Sequence, residues 1–183
     1  CSSSRESDLR HIPSYPALEL LSQADIKGID RQTLEQRSRA LVQSVYVGNH
    51  TVLCRVMGRY KMYVPTTDIG FASHIVMDGY WEPWLTVFMA ERIQPGWRVV
   101  DVGANHGYYT VLMGDLVGDN GRVIAVEPAQ ATAAFLRRNL YVNGLDQRVE
   151  VVEAAAGETA GQQLYFLNPA GEPKNARLID ETT

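Results

Sequence analysis

The stretch Arg98-Val99-Val100-Asp101-Val102-Gly103-Ala104-Asn105-His106-Gly107 decides how this chain is read. It begins as a short β-branched apolar run, the pattern of a strand buried on both faces. It then breaks into a small-residue turn, and Tyr108-Tyr109-Thr110-Val111-Leu112-Met113 leaves that turn as a helix. A carboxylate, Asp101, stands at the strand end, and Gly103 and Gly107 stand where a backbone passes close to something bound. Strand, glycine turn and helix together open a nucleotide-binding α/β unit.

Downstream, the helix from Tyr108 to Val117 ends at Gly118, and Asp119-Asn120-Gly121 makes a tight turn. Val123-Ile124-Ala125-Val126 is a second buried strand, closed by Glu127-Pro128. A helix carrying Phe135, Leu136 and Leu140 stops at Asn143-Gly144, and Arg148-Val149-Glu150-Val151-Val152 is a third strand. Short turns between alternating strands and helices require right-handed crossovers and parallel pairing. The fold class is therefore α/β, the N-terminal half of a Rossmann-like doubly wound sheet. Leu164-Tyr165-Phe166-Leu167 reads as a further short strand, and the tail from Asn168 carries no period.

Upstream, Pro83 opens a helix whose apolar face is Trp84, Leu85, Val87, Phe88 and Ile93, and Gln94-Pro95-Gly96 stops it. Glu82 lies at that helix's entrance, behind the aromatic pair Tyr80-Trp81. Residues 51–64 alternate at Val52, Cys54 and Val56, then at Tyr60, Met62 and Val64, a β-hairpin turning at Met57-Gly58-Arg59. Asp30 to Val45 is read as an amphipathic helix on Leu34, Leu41, Val42 and Val45. Three segments result: a disordered lead-in at 1–16, a helix and hairpin extension at 17–78, and the Rossmann-like unit at 79–183.

The chain has 183 residues, 45% hydrophobic and 21% charged, with a net charge of −4. That is one domain by size, able to bury about 70% of its unfolded surface. The pI of about 5.6 supplies no basic field for a nucleic-acid backbone. No apolar run approaches the roughly 18 residues of a membrane span. The two cysteines, Cys1 and Cys54, have no metal-ligand spacing, and a reducing, cytoplasmic setting follows. His11, His50 and His74 likewise lack ligand spacing, so no metal is expected. The chain starts at Cys1 without a methionine, as a processed or excerpted piece would.

Asp101, Gly103, Asn105, Gly107 and Glu127 form the chemical constellation. Gly103 permits positive φ and leaves no Cβ to block a ligand. The turn would aim backbone N–H groups of the next helix into the pocket, where they suit a carboxylate or phosphate. Glu127 ends the neighbouring strand, where a carboxylate accepts from ribose hydroxyls. A dinucleotide site wants G-x-G-x-x-G, whereas Asn105 stands at the second glycine place here. Asp101 would also repel a pyrophosphate and attract an ammonium or sulfonium. S-adenosylmethionine carries both cations, a ribose diol and a carboxylate.

Three stretches then resemble one family: Val100-Asp101-Val102-Gly103-Ala104-Asn105-His106-Gly107-Tyr108-Tyr109-Thr110, Gly121-Arg122-Val123-Ile124-Ala125-Val126-Glu127-Pro128, and Leu136-Arg137-Arg138-Asn139-Leu140-Tyr141-Val142-Asn143-Gly144-Leu145. They look like the FkbM-type S-adenosylmethionine-dependent methyltransferases, as do Gly79-Tyr80-Trp81-Glu82-Pro83-Trp84 and Ala154-Ala155-Ala156-Gly157-Glu158. The resemblance implies that Gly103, Ala104 and Asn105 line the methionine and ribose part of the cofactor, with Asp101 on its amino group. It implies that Glu127 holds the ribose, that Glu82 approaches the methionine end, and that Ala155 sits near the adenine. His106 departs from the apolar residue usual at its place. The implied activity is O-methylation of a small-molecule acceptor, a sugar or natural-product hydroxyl; the state of assembly is left open, a homo-oligomer being one option beside a monomer.

A sheet of this class has seven strands, of which three are present, leaving Val99–Val102 as an unpaired apolar edge. The chain is therefore expected to be a fragment, or to have another segment on that edge. Two other readings stay open: a nicotinamide-dependent oxidoreductase, which Asn105 disfavours, and a non-catalytic domain that keeps the fold.

Overall fold

A computed structural model describes residues 19–159 and 161, with the backbone of 165–167 and 177–179. The lead-in at 1–16 lies outside the described residues. The chain first forms α1 (Gln23–Gly28) and α2 (Arg31–Leu41), each started by a side-chain cap. The Ser22 hydroxyl accepts from Asp25 N while the Asp25 carboxylate accepts from Ser22 N, and Asp30 accepts from Thr33 N. The helix read from Asp30 to Val45 stops at Leu41. Val45 belongs instead to β1 (Ser44–Gly48), where β-branched Val45 and Val47 suit an extended backbone.

β1, β2 (Thr51–Val56) and β3 (Tyr60–Pro65) form an antiparallel sheet in that order. The hairpin read from alternation is β2–β3. The sequence reading missed the strand before it and the helix after it, α3 (Ile69–Asp78). Asp68 caps α3 by accepting from Phe71 N, and Gly79 ends it in the left-handed region at φ 73°. A Cβ on Gly79 would stand 3.1 Å from the Ser38 carbonyl and 3.2 Å from that of Arg55, so glycine is required there for packing as well as for φ.

α4 (Pro83–Arg92) follows, then β4 (Arg98–Val102), α5 (Tyr108–Leu116), β5 (Arg122–Val126), α6 (Gln130–Val142) and β6 (Val149–Val152). The second sheet has the order β4-β5-β6, parallel throughout, with Val99, Val123 and Val149 in one row. Strand and helix alternate as the turns require. β7 (Tyr165–Leu167) pairs antiparallel with β8 (Arg177–Ile179), a strand in the tail that showed no period.

Two expectations about burial are corrected. β4 is covered on one face only: Val100 is 58% and Val102 61% exposed, as is Ile124 beside Val100 at 40%, while Val123 and Ala125, beside Val99 and Asp101 on the other face, are sealed. Residues alternate across a strand, and the helices α5 and α6 cover the face of Val99, Asp101 and Ala125. Among the described residues no strand pairs with the outer edge of β4. On α4, Trp84 and Phe88 are exposed, and the inward face is Pro83, Thr86 and Ala90. The small Thr86 and Ala90 let α4 lie close to α1, α2 and α5, which its large residues would prevent.

One apolar cluster runs from Leu21, Leu34 and Met62 through Ile75 to Leu112, Leu136 and Val149. The hairpin sheet and the parallel sheet thus share a core. α6 also closes the outer edge of β3. Asn139 Oδ1 accepts from Tyr63 N at 2.6 Å and its Nδ2 donates to Tyr63 O at 3.0 Å. One turn later Asn143 does the same to Lys61, at 3.0 and 2.7 Å. Two side-chain amides spaced i, i+4 thereby satisfy the edge groups that a fourth strand would otherwise bind.

Candidate active site

The glycine turn leaves β4 at the C-terminal rim of the parallel sheet, where ligands of open α/β sheets bind. Gly103 has φ 80°, and no atom lies within 4 Å of where a Cβ would stand, so the turn offers an open cradle. Asn105 takes φ 49°, a left-handed conformation that Asn tolerates better than most residues. Gly107 has φ 91°, and a Cβ there would lie 2.5 Å from Leu136 Cδ1. Its missing side chain is space for α6, and Gly107 faces the core.

The amides of the turn are engaged within it. Gly103 N and Ala104 N donate to Val126 O at 2.9 and 3.0 Å, Asn105 N to Glu127 Oε2 at 2.9 Å, His106 N to Asn105 Oδ1 at 2.8 Å, and Gly107 N to Ala104 O at 2.9 Å. Residues 103–107 therefore hold no spare backbone N–H, and the N–H groups that the sequence reading aims at an anion are those of the first turn of α5.

Glu127 is buried, and its second oxygen accepts from Ala129 N at 2.9 Å. Burial raises its pKa, as does the charge of Asp101 nearby, against the two amides that lower it. Two amides occupy half of the four acceptor positions of the carboxylate, which leaves capacity for a diol. Asp101 points to the helix-covered face, where Thr110 Oγ1 donates to its Oδ2 at 2.6 Å. Burial holds its pKa above the ordinary value, opposed by that hydrogen bond.

A cavity of about 140 Å³ opens beside the turn, lined by Gly103, Ala104, Asn105 and His106 on one side and by Phe71, Trp81, Tyr108 and Tyr109 on the other. It is smaller than the roughly 300–1,000 Å³ of a complete small-molecule site. It suits one end of a ligand whose remainder crosses the strand ends. Tyr109 donates its hydroxyl to Glu82 Oε2 at 2.7 Å, which brings the Glu82 carboxylate to the rim. Glu82 holds φ 37°, a strained backbone for a residue with a side chain, costing on the order of 1–3 kcal/mol. The Tyr109 phenol is pushed well up by burial and by Glu82, so it stays a donor.

His106 is 2% exposed, stacked on Phe71 at 5.6 Å and edge-on to Phe135. Its Nδ1 is 3.8 Å from Asp68 Oδ2, beyond hydrogen-bond reach, and burial takes its pKa down to about 4. The imidazole is a neutral packing group. Its carbonyl accepts from Asn139 Nδ2 at 2.8 Å, so one buried amide joins the hairpin to the glycine turn. Tyr108 is also packing: its hydroxyl lies 3.4 Å from Thr86 Oγ1, and burial raises its pKa to about 12. Ala155 is exposed on the segment after β6, at the same rim.

The structure therefore gathers Gly103, Ala104 and Asn105 at the cavity, with Glu82 and Glu127 at its margins and Asp101 beneath it. Sequence reading missed Phe71, which lies on an unforeseen helix, and Asn139, whose only signal was its i, i+4 spacing with Asn143. Among the described residues no cluster could hold a metal, and no helix is long and apolar enough to cross a membrane. A second cavity, about 410 Å³, opens at the opposite ends of the strands beside Arg98, Arg122 and Arg148, far from this chemistry.

The glycine turn over a three-stranded parallel sheet, with acidic groups at two strand ends, is the Rossmann-like arrangement of the class I S-adenosylmethionine-dependent methyltransferase fold. More narrowly, the chain belongs to the protein-L-isoaspartate(D-aspartate) O-methyltransferase family, whose model matches residues 60–163. A protein-L-isoaspartate O-methyltransferase of Aeropyrum pernix is 48% identical over 59 residues, 32% of this chain and 23% of that protein. The Methanopyrus kandleri protein of the same name is 39% identical over 72 residues, 38% of this chain and 32% of that protein. The chain thus spans under a third of the length of either relative.

Among solved structures, a SAM-dependent methyltransferase from Aquifex aeolicus overlaps 37% of this chain and 36% of its own at 25% identity, TM-score 0.34. A SAM-dependent O-methyltransferase from Thermotoga maritima overlaps 61% of this chain and 48% of its own at 19% identity, TM-score 0.40. Two expectations change. The matching family is not the FkbM-type group that the motifs resemble, although both share the class I fold. The expected small-molecule acceptor is overturned as well, because the matching family and the relatives bear names that specify a protein substrate.

Proposed function

We propose that this chain forms the methyl-donor side of an S-adenosylmethionine-dependent O-methyltransferase whose acceptor is a carboxylate of an isoaspartyl residue in a protein. The observation that carries the reading is the open cradle at Gly103 with Glu127 fixed by the amides of Asn105 and Ala129. When bound, S-adenosylmethionine would supply an electrophilic methyl carbon on sulfur, to which an acceptor oxygen bonds in line as the carbon–sulfur bond breaks and a neutral thioether departs with the electron pair. Glu127 holds the ribose hydroxyls with its remaining acceptor positions. Asp101 and Glu82 face the cationic end, Gly103, Ala104 and Asn105 line its path, and Ala155 flanks the adenine through backbone alone. Gly107 contributes by letting α6 pack beneath the turn.

A carboxylate acceptor, with an ordinary pKa near 4, is already ionised at neutral pH. Such an acceptor needs no general base, which agrees with a site whose histidine is buried and neutral. The chain's task is then to hold the donor in line and to exclude water. The test is transfer of a labelled methyl group from the donor to a peptide bearing one isoaspartyl residue, with the normal aspartyl peptide as control. Label in a base-labile ester on the first alone supports the proposal; label on neither peptide refutes it.

A further inference from the structure

We propose that the turn between α5 and β5 is a site of spontaneous chemical modification: Asn120, followed by Gly121, closes to a succinimide and opens to isoaspartate, while the fold holds back the second Asn-Gly pair, Asn143-Gly144. The inference is independent of the donor reading, because the reaction needs only water.

Asparagine is a thermolabile residue. It reacts fastest where glycine follows, because no side chain hinders the approach of the next backbone nitrogen to the amide carbon. The chain has two such pairs, at 120–121 and 143–144. The amide group must be able to rotate, and the glycine N–H must leave its hydrogen bond. Asn120 is exposed, and its side chain takes no hydrogen bond among the described residues. Gly121 N donates to Gly118 O at 3.2 Å, the long end of the range for such bonds. Arg122 holds the peptides on either side, donating to Asp119 O at 3.1 Å and to Gly121 O at 2.6 Å. The peptide between them is the part left to turn.

Asn143 is tied down. Its Oδ1 accepts from Lys61 N at 3.0 Å, and its Nδ2 donates to Lys61 O and Asn139 O, both at 2.7 Å. Gly144 N donates to Tyr141 O at 3.0 Å, which matches the single bond of Gly121 N and cancels in the comparison. One hydrogen bond restrains local opening by about fivefold, so the three side-chain bonds of Asn143 restrain it by about a hundredfold.

In the ring closure Gly121 N loses its proton and bonds to Asn120 Cγ. The bond from Cγ to the amide nitrogen breaks, and ammonia leaves with that proton. Water then opens the imide. Attack at the side-chain carbonyl gives aspartate, and attack at the main-chain carbonyl gives isoaspartate, whose chain runs through the former side chain. That route is one methylene longer, and Gly121 sits where nothing can be added: a Cβ there would lie 2.6 Å from Val117 O and 2.8 Å from Trp97 O. Isoaspartate at 120 therefore displaces Gly121 and loosens the start of β5.

The experiment is ageing of the chain at neutral pH, folded and in strong urea, read by peptide mass spectrometry with fragmentation that separates isoaspartate from aspartate. In the folded chain Asn120 should convert about a hundredfold faster than Asn143, and in urea the two should convert at similar rates. Equal rates in the folded chain would overturn the inference. Conversion of Asn120 in urea alone would overturn it too, by showing that the turn protects it. Asn120→Ser keeps a polar turn residue without the amide. Its melting temperature should hold through ageing, whereas that of the wild type should fall in step with isoaspartate at 120; an equal fall in both would refute the loosening of β5.

Discussion

Asn139 and Asn143 make the same pair of bonds to the edge of β3, once sealed from water and once open to it, and this sets up a controlled comparison. Asn139→Ala removes three hydrogen bonds and leaves Tyr63 N, Tyr63 O and His106 O without their partner. Asn139 is fully buried. Each buried polar group left unsatisfied costs about 1–3 kcal/mol, and partial relaxation admits some water, so the loss should be about 3–5 kcal/mol. Asn143→Ala frees Lys61 N and O at an exposed place, where water replaces the amide, and should cost about 0.5–1.5 kcal/mol. Both sites are at or next to the last turn of α6, so the gain in helix propensity from alanine largely cancels in the difference. Urea denaturation of the two variants measures that difference directly. Because Asn139 also holds the His106 carbonyl, its loss should weaken donor binding, which Asn143→Ala should leave intact. Equal destabilisation by both variants would refute the argument that burial decides the value of these bonds.

Three further outcomes are expected. Gly107→Ala should destabilise by about 2–3 kcal/mol, from a Cβ at positive φ and from displacement of Leu136, whereas Gly103→Ala should cost only about 1 kcal/mol of strain yet abolish donor binding; thermal melts and calorimetry check both halves. Burial raises the Asp101 pKa, so its ionisation is resisted in the folded chain, and stability declines as pH rises from the unfolded value of 3.8 through the raised folded one. Asp101→Asn should therefore raise the melting temperature at pH 7, with the advantage shrinking toward pH 3.8, while donor affinity falls; a variant less stable at pH 7 would count against this. His106 is the opposite case. Its folded pKa of about 4 lies below the ordinary 6.5, so stability is lost as pH falls from 6.5 toward 4, and His106→Gln should flatten that slope in urea midpoints measured across the window.

Much of the parallel sheet was legible because local chemistry and tertiary demand agree there. β-branched runs of four or five residues can only be strands, and the turns between them are too short for anything but alternating crossovers. α3 was not legible: Ile69–Asp78 is apolar on more than one side, and its start depends on the Asp68 cap. β1 was absorbed into the helix before it because Val42 and Val45 continue a helical spacing that the chain abandons at Leu41. The inward face of α4 was misread for a similar reason. Size ranks Trp84 and Phe88 first, whereas close helix packing selects Thr86 and Ala90.

At the site, sequence alone determined the kind of groups present: a glycine turn, carboxylates at two strand ends, and an asparagine where a dinucleotide site needs glycine. Those follow from residue identity and from the fixed geometry of a strand-turn-helix unit. Which of them meet, and what each is free to do, was decided only by the tertiary structure. The amides of the turn are spent on Val126, Glu127, Asn105 and Ala104, and Gly107 serves α6. Tyr109 brings Glu82 to the cavity from 27 residues away. Hydrogen-bond satisfaction and burial are properties of neighbours distant in the chain, and no local pattern records them.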